Sequence, residues 1–453
     1  MPARRPTFFA LATGAALALS FAQAPATAQD RIQLELWHAM EGGLGEALRE
    51  IVDQFNESQD QYQLNETYKG RYRVVLNNTI AAYRAGEQPH IFQNNETGVI
   101  TLLLSDAIVP VEEILEANDV EVDLSAYLPP VVDTYVADGK LLGMPFNSST
   151  PIMYYNADLL NEAGFEDAPV TWQEMEVMIR AAQDAGMTGV NGERVCGYAY
   201  TGGMWDNVEN WSSIHDQPYA SLANGRDGLG TELVYNTTKL VDHHKRLTRW
   251  LEEGLAEFGA MSPVDFSSGA FTNWSSGNCL FWSASTASHP RVQRGATFNW
   301  GATFFPHDSD IIDEPRNSTI GGAALYVMKG FSEEEHAGIA EFFRLLTSED
   351  VQKRWHTQTG YVPITKAAYD DLKAAGYYDE NPTYEIAVLQ LLRGQPGPNN
   401  RVPRIGNFEN VRMALEAELQ KVYAGEQDID TALAEGVRRG NEILRRFERQ
   451  NAR

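Results

Sequence analysis

Cysteine is nearly missing from this chain: Cys196 and Cys279 are the only two in 453 residues. Two thiols that far apart exclude a zinc motif of clustered ligands. In an oxidising compartment they permit one disulfide, and two buried thiols fit the sequence equally well. Basic residues are also scarce, 36 Lys and Arg against 62 Asp and Glu, for a formal net charge of -26. That balance excludes nucleic acid and anionic lipid surfaces as partners, and it requires any anionic ligand to be held by local donors. The usual signatures of catalysis are missing as well. There is no G-x-S-x-G nucleophile elbow, no H-E-x-x-H helix and no G-x-x-x-x-G-K-[ST] phosphate loop. The pair His243-His244 and the run Glu333-Glu334-Glu335-His336 sit among charged residues and read as solvated helix surface. The acidic stretch His307-Asp308-Ser309-Asp310 lacks calcium-loop spacing and reads as a solvated loop.

The chain opens with Arg4-Arg5, an apolar core from Phe8 to Phe21 and the A-x-A site Ala26-Thr27-Ala28, which together read as an export signal over residues 1–28. Its apolar core is shorter than the roughly 20 residues a bilayer needs, and no cysteine follows the cleavage site to take a lipid. The mature protein is therefore expected in the periplasm. Loss of Arg4 and Arg5 would deepen the charge from -26 to -28. The remainder is longer than one hydrophobic core usually serves, so two domains are expected.

Ile32, Leu34 and Leu36 alternate with polar residues as in a strand, and Leu44, Leu48, Ile51, Val52 and Phe55 then recur at helical spacing. The same order repeats with an extended run at Tyr62 to Tyr68, a helical run from Val75 to Arg84 and a strand near His90 to Gln93. Strands alternating with helices indicate an α/β fold with mostly parallel sheets. Further along, Thr171-Trp172-Gln173-Glu174 fits a capping box that opens a helix with Met175, Met178 and Ile179 inward. The span 191–230 is rich in Gly, Asn, Trp and Tyr and reads as long loops with exposed aromatics. Helices are expected near Glu335 to Leu346, Glu409 to Tyr423 and Ile429 to Phe447. No linker separates two domains, so the chain must cross between them more than once, as in a hinged protein that encloses a ligand.

Two segments suit such crossings. Pro145-Phe146-Asn147-Ser148-Ser149-Thr150-Pro151 sets small hydroxyl side chains between prolines, ahead of the strand-like Ile152-Met153-Tyr154-Tyr155. Ile320-Gly321-Gly322-Ala323 leads straight into Ala324-Leu325-Tyr326-Val327-Met328. Polar turn segments at Tyr68 to Tyr72, Asn94 to Gly98, Ser283 to Thr286 and Thr359 to Tyr361 add binding candidates, each weak alone.

Taken in order, these segments resemble the glycerol-3-phosphate-binding proteins of ABC importers, within the extracytoplasmic solute-binding superfamily that includes the maltose-binding proteins. The resemblance runs through Trp37-His38-Ala39-Met40-Glu41-Gly42, Thr67-Tyr68-Lys69-Gly70, the serine segment, Ile320 to Ala323, Thr359-Gly360-Tyr361-Val362-Pro363-Ile364-Thr365-Lys366-Ala367-Ala368-Tyr369, Arg439-Gly440-Asn441 and Leu444-Arg445-Arg446-Phe447. It implies a two-lobed periplasmic binding protein fold with a hinge and a ligand cleft between the lobes. One lobe would comprise residues 31–147 plus about 325–365, the other residues 149–320 plus about 366–453.

The resemblance also implies a monomer without metal or cofactor that captures glycerol 3-phosphate or a glycerophosphodiester and hands it to a membrane permease. By the same resemblance, Tyr72, Ser149, Ser285 and Arg412 would take the phosphate, an arginine fork suiting its charge. Glu96, the Gly322 backbone and the Tyr361 phenol would hold the glycerol end. Because a carboxylate repels an anion, Glu96 is expected at the far end of the ligand from Arg412. Arg412 is expected to serve the ligand alone, so that Arg412→Ala removes binding and spares the fold. Gly202 departs from the family pattern, which has a Trp there with Trp205 as the next aromatic, and this bears on the choice between ester and diester. The competing readings are an oligosaccharide or polyol binder of the same fold and a periplasmic phosphodiesterase.

Overall fold

The computed structural model describes Met1 and residues 31–260, 268–394 and 397–451. The expected export signal lies outside these residues. In chain order the strands are β1 (Ile32–His38), β2 (Tyr62–Tyr68), β3 (Ile91–Asn95), β4 (Ile108–Val109), β5 (Val136–Ala137), β6 (Lys140–Leu141), β7 (Met144–Ser149), β8 (Pro151–Asn156), β9 (Cys196–Tyr200), β10 (Ala256–Phe258), β11 (Cys279–Ser285), β12 (Trp300–Phe304) and β13 (Gly321–Met328). They form two principal sheets. The first has the order β2-β1-β3-β13-β4, with β7 also paired to β13; the second has the order β10-β9-β11-β8-β12.

Local pattern accounts for the opening of the first sheet. Leu34 and Leu36 of β1 are fully buried, and Leu48, Ile51, Val52 and Phe55 line the inner face of helix Gly42–Ser58. This helix returns the chain to β2, which pairs with β1 in parallel from Ile32↔Tyr62 to His38↔Tyr68. The expected strands and helices over 32–95 are all present. At Thr171 both halves of the capping box form: the Thr171 hydroxyl accepts from the Glu174 backbone N–H at 3.1 Å, and the Glu174 carboxylate accepts from the Thr171 N–H at 3.1 Å. Such a cap contributes about 1 kcal/mol.

The sheets are mixed, not mostly parallel. β1, β2 and β3 are parallel, but β13 runs antiparallel to β3, β4 and β7. In the second sheet β9, β10 and β11 are parallel, while β8 is antiparallel to β11 and β12. The crossings are the cause, since a strand that returns from the other sheet enters against the direction set by the local strand–helix–strand units.

Each sheet carries its own core. Leu34, Phe92, Leu325, Phe342, Phe343 and Trp355 belong to one; Met153, Trp172, Tyr198, Trp211, Trp250 and Leu415 belong to the other. Within residues 366–402, expected from the sequence in the second lobe, Tyr369, Leu372, Tyr378 and Tyr384 pack with the first core, while helix Pro382–Leu391 also meets β12 and β8 of the second sheet. Gln390 from this stretch reaches the crossing and the second sheet, donating to Thr150 Oγ1 at 2.8 Å and accepting from the Phe305 N–H at 2.7 Å.

The span 191–230 is not a set of loops with exposed aromatics. It supplies β9, a π-helix at Trp205–Asn210 and helix Trp211–Ile214, and Tyr198, Tyr200, Trp211 and Tyr219 are buried. The residues that suggested turns have packing roles: a Cβ on Gly197 would lie 2.3 Å from Ile179 Cγ2 and from the Leu255 carbonyl oxygen. Asn224 accepts from the Tyr219 and Ala220 N–H groups. His243 and His244 are buried, not solvated: helix Leu240–Glu252 turns His243 toward Trp172 and Trp211, and His244 packs edge-on against His243. His307 and Asp308 are buried as well, and Asp308 is paired with Arg246 at 2.7 Å. Cys196 and Cys279 face each other in the β9–β11 register and form a disulfide, which settles the alternative left open by the sequence.

Candidate functional site

β7 ends at Ser149 and β8 begins at Pro151, so the chain passes from the first sheet to the second through the single residue Thr150. β13 returns beside this crossing, with Gly321 opposite Ser149 and Gly322 opposite Ser148. On the second sheet Ser285 lies opposite Pro151, and the Thr286 N–H donates to the Thr150 carbonyl at 3.1 Å. A third segment closes the junction where the Val362 N–H donates to the Ser148 carbonyl at 2.8 Å. Pairing register thus gathers Ser149, Ser285, Gly322 and Tyr361 around one crossing, although they are spread over more than 200 positions of sequence.

Gly322 is required by this geometry. It has φ +105°, and a Cβ there would overlap the carbonyl oxygen of Asn147. The same asparagine ties in the first lobe. Asn147 Nδ2 donates to the Tyr72 hydroxyl at 2.8 Å, Asn147 Oδ1 accepts from Gln93 Nε2 at 2.7 Å, and Gln93 Oε1 accepts from the Ala39 N–H at 2.7 Å. Tyr72, the first residue of helix Tyr72–Ala85, also hydrogen-bonds with Tyr361. Burial pushes both phenols above their ordinary pKa, so they are neutral donors.

Glu96 opens a short 3-10 turn directly after β3, and Arg412 lies in helix Phe408–Tyr423. The expected separation of these two residues is overturned. Arg412 Nη2 donates to Glu96 Oε1 at 2.7 Å, which joins an element of the first core to one of the second. Arg412 also meets Glu209 on the π-helix, with Nε to Oε1 and Nη2 to Oε2 both at 2.6 Å. The side chains of Arg412, Glu96 and Glu209 are only 12%, 4% and 2% exposed. Burial pushes both carboxyls up from the usual range against the pull of Arg412, because a single guanidinium faces two carboxylates. Burial opposes the Arg412 charge too, but Glu209 and Glu96 more than offset it and hold the arginine protonated. Arg412 is therefore not reserved for a ligand, and its removal cannot leave the fold untouched.

Glu209 and Asp206 escaped the sequence reading as candidates, and Asn147 figured there only as part of the crossing. Asp206 accepts from Ser283 Oγ at 2.9 Å, and burial pushes its carboxyl up to about 6. A signal did exist: Asp206 and Glu209 lie in one short polar run between Trp205 and Trp211, and charges between large apolar residues need partners from elsewhere. Ser148 Oγ and Trp205 Nε1 are buried without a hydrogen-bond partner among the described residues. Among these residues no hydrogen bond joins Ser149 or Ser285 to Arg412; Ser285 Oγ instead accepts from the Ala287 N–H at 3.2 Å. Cys196, Glu257 and Cys279 form the one group close enough to hold a metal among the described residues, and its two cysteines are in the disulfide.

Two sheets joined by adjacent crossings, with buried polar groups meeting between them, define a two-lobed solute-binding architecture, and the chain belongs to the bacterial extracellular solute-binding protein family, whose pattern matches residues 50–385. No helix among the described residues is long and apolar enough to cross a membrane. The chain is 37% identical over 440 residues to the sn-glycerol-3-phosphate-binding periplasmic protein UgpB of Yersinia pseudotuberculosis serotype I (strain IP32953), covering 96% of this chain and 97% of that protein. It is 38% identical over 442 residues to the protein of the same name from Escherichia coli O6:K15:H31 (strain 536 / UPEC), covering 96% and 98%. Among solved structures, UgpB from Mycobacterium tuberculosis in complex with glycerophosphocholine superposes with a TM-score of 0.75 at 20% identity, covering 91% of this chain and 98% of that one. The GacH receptor of Streptomyces glaucescens GLA.O superposes with a TM-score of 0.74 at 15% identity, covering 92% and 100%. At these identities the structural matches establish the two-lobed fold.

Proposed function

We propose that this protein is the binding component of an ABC importer, capturing sn-glycerol 3-phosphate or a glycerophosphodiester in the periplasm as a monomer and delivering it to a membrane permease. The observation that carries this reading is Arg412, a buried arginine paired with Glu209 and with Glu96, which follows the Asn95–Ala323 pair next to Gly322. A phosphate group would replace Glu96 on the guanidinium and take hydrogen bonds from Tyr72, Ser149 and Ser285. Ser148 Oγ and Trp205 Nε1 are further polar groups that a guest could satisfy. Glu96, released from Arg412, would accept from the ligand's hydroxyls, with the Gly322 backbone and Tyr361 closing on the glycerol end. Hydrogen bonds to charged groups contribute about 1.5–3 kcal/mol each, so a few suffice for the roughly 8 kcal/mol of micromolar binding.

The expected export signal and the names of the relatives both support a periplasmic location. A role in binding without turnover is consistent with those names. Titration calorimetry of the mature protein with sn-glycerol 3-phosphate, glycerophosphocholine, glycerol and maltose tests the reading. Binding of the phosphate compounds alone is expected, and binding of maltose alone would defeat it. Sustained release of choline from glycerophosphocholine by the purified protein would replace it with a phosphodiesterase.

A further inference from the structure

Three hydrogen bonds in series run from a backbone N–H to the Tyr72 phenol. The Ala39 N–H donates to Gln93 Oε1, Gln93 Nε2 donates to Asn147 Oδ1, and Asn147 Nδ2 donates to the Tyr72 hydroxyl, at 2.7, 2.7 and 2.8 Å. Their direction is fixed at the start. A backbone N–H can only donate, so Gln93 turns its oxygen to Ala39 and its nitrogen to Asn147, which in turn presents its own nitrogen to Tyr72. Both amides are fully buried. Turning Gln93 over would set donor against donor at Ala39 and acceptor against acceptor at Asn147, with no water to relieve either. The sheet holds the two in place: Gln93 lies on β3 and Asn147 on β7, on opposite sides of β13. The consequence falls on Tyr72. Its oxygen already accepts from Asn147, and burial keeps the phenol protonated, so its O–H is left to donate. The Asn147 amide also hydrogen-bonds with Tyr361 and gives that phenol the same polarity.

We propose that Asn147, oriented by Gln93, is the positioning residue that makes Tyr72 a hydrogen-bond donor to the ligand's phosphate, and so tunes the cleft to a group that accepts. This rests on the reading of the cleft as a phosphate-ester site. In the ligand-free protein Tyr72 and Tyr361 hydrogen-bond with each other. An ionised phosphate oxygen carries no hydrogen and is the stronger acceptor, so it draws the Tyr72 O–H away from the neutral oxygen of Tyr361. The device serves monoester and diester alike, because the nonbridging oxygens of both accept. Gln93 and Asn147 act through the Tyr72 hydroxyl and need no contact with the ligand.

Calorimetry with sn-glycerol 3-phosphate at about pH 7, above the second pKa of about 6 for a phosphomonoester, tests this through a double-mutant cycle. Tyr72→Phe should weaken binding at least about tenfold, and Asn147→Leu at least about fivefold. In the Tyr72→Phe background, Asn147→Leu should change affinity by no more than about twofold, because its effect passes through the missing hydroxyl. A purely structural Asn147 would cost the same factor in both backgrounds, and that result overturns the proposal, as does wild-type affinity in either single variant. Replacing Tyr72 by 3-fluorotyrosine reads the direction of the bond, and it decides alone should Asn147→Leu fail to fold. A more acidic phenol donates more strongly and accepts more weakly, so binding should tighten by about twofold; unchanged or weaker binding overturns the proposal. If the wild-type protein binds neither sn-glycerol 3-phosphate nor glycerophosphocholine, the functional reading itself has failed and this proposal falls with it, whereas wild-type binding with an additive cycle defeats this proposal alone.

Discussion

Replacing Arg412 by alanine should destabilise the ligand-free protein as well as abolish binding of phosphate compounds. The substitution strands Glu96 and Glu209, whose side chains are 4% and 2% exposed, without their shared cation. Breaking a buried ion pair by removing one partner costs about 3–5 kcal/mol, a large share of the roughly 5–15 kcal/mol that holds a domain folded. The guanidinium's contact with the Phe408 ring, 4.8 Å from its centroid, is lost as well. The deficit should depend on pH. Burial already raises both carboxyls in the native protein, and without Arg412 it should raise them further. A carboxyl raised in the folded state favours folding while it is protonated, and that contribution is lost as pH rises through its folded pKa. The variant should therefore trail the wild type most near pH 8 and least near pH 5. Urea unfolding followed by tryptophan fluorescence measures this, with nine tryptophans available as reporters. Arg412→Met combined with Glu96→Gln and Glu209→Gln should recover more than half of the loss while remaining unable to bind, because no charge is then stranded. A deficit below about 1 kcal/mol that is the same at both pH values would refute the buried triad, since an exposed pair behaves in that way.

Two further predictions test the framework around the site. Replacing both Cys196 and Cys279 by alanine opens a bridge with a sequence separation of 83, for which loop-closure entropy gives a loss of about 4.5 kcal/mol; a loss below about 1 kcal/mol in urea unfolding would show that the bridge does little to restrict the unfolded chain. Acid should destabilise the protein well above the carboxylate range, because burial lowers His215, His244, His289 and His356 to about 4. The unfolded chain takes up those protons first, near pH 6.5, so the stability from keeping them neutral is complete above that pH and is lost as pH falls toward about 4. Each histidine adds a slope of about 1.4 kcal/mol per pH unit within that window. Urea midpoints that stay flat from pH 7 to pH 5 would contradict the burial of these imidazoles.

What could be read from the sequence, and what could not, follows the range of each interaction. β1, the helix after it and β2 were legible because alternation and helical spacing are properties of neighbouring residues. The Thr171 capping box was legible for the same reason. Crossings at the serine segment and at Gly321-Gly322 were legible as positions where small residues meet strand-like runs. A Cβ on Gly321 would strike the Trp205 ring and one on Gly322 the Asn147 carbonyl oxygen, which supplies the physical reason for that glycine pair. The errors arose where one residue type serves two purposes. Gly197 and Asn224 carry turn-like identities, yet one permits close packing and the other caps buried backbone groups. The Arg412 site failed for a different reason. Glu209 and Glu96 lie 203 and 316 positions away from it, so the sequence offered an arginine with a free charge where the fold provides one already claimed. Two consequences follow from that difference. The acidic character of the chain, which seemed only to exclude anionic partners from its surface, continues into the cleft. If the cleft takes phosphate as proposed, its affinity would then depend on neutral donors such as Tyr72, held by Asn147 and Tyr361, and on the ease with which Glu96 gives up its single bond to the arginine.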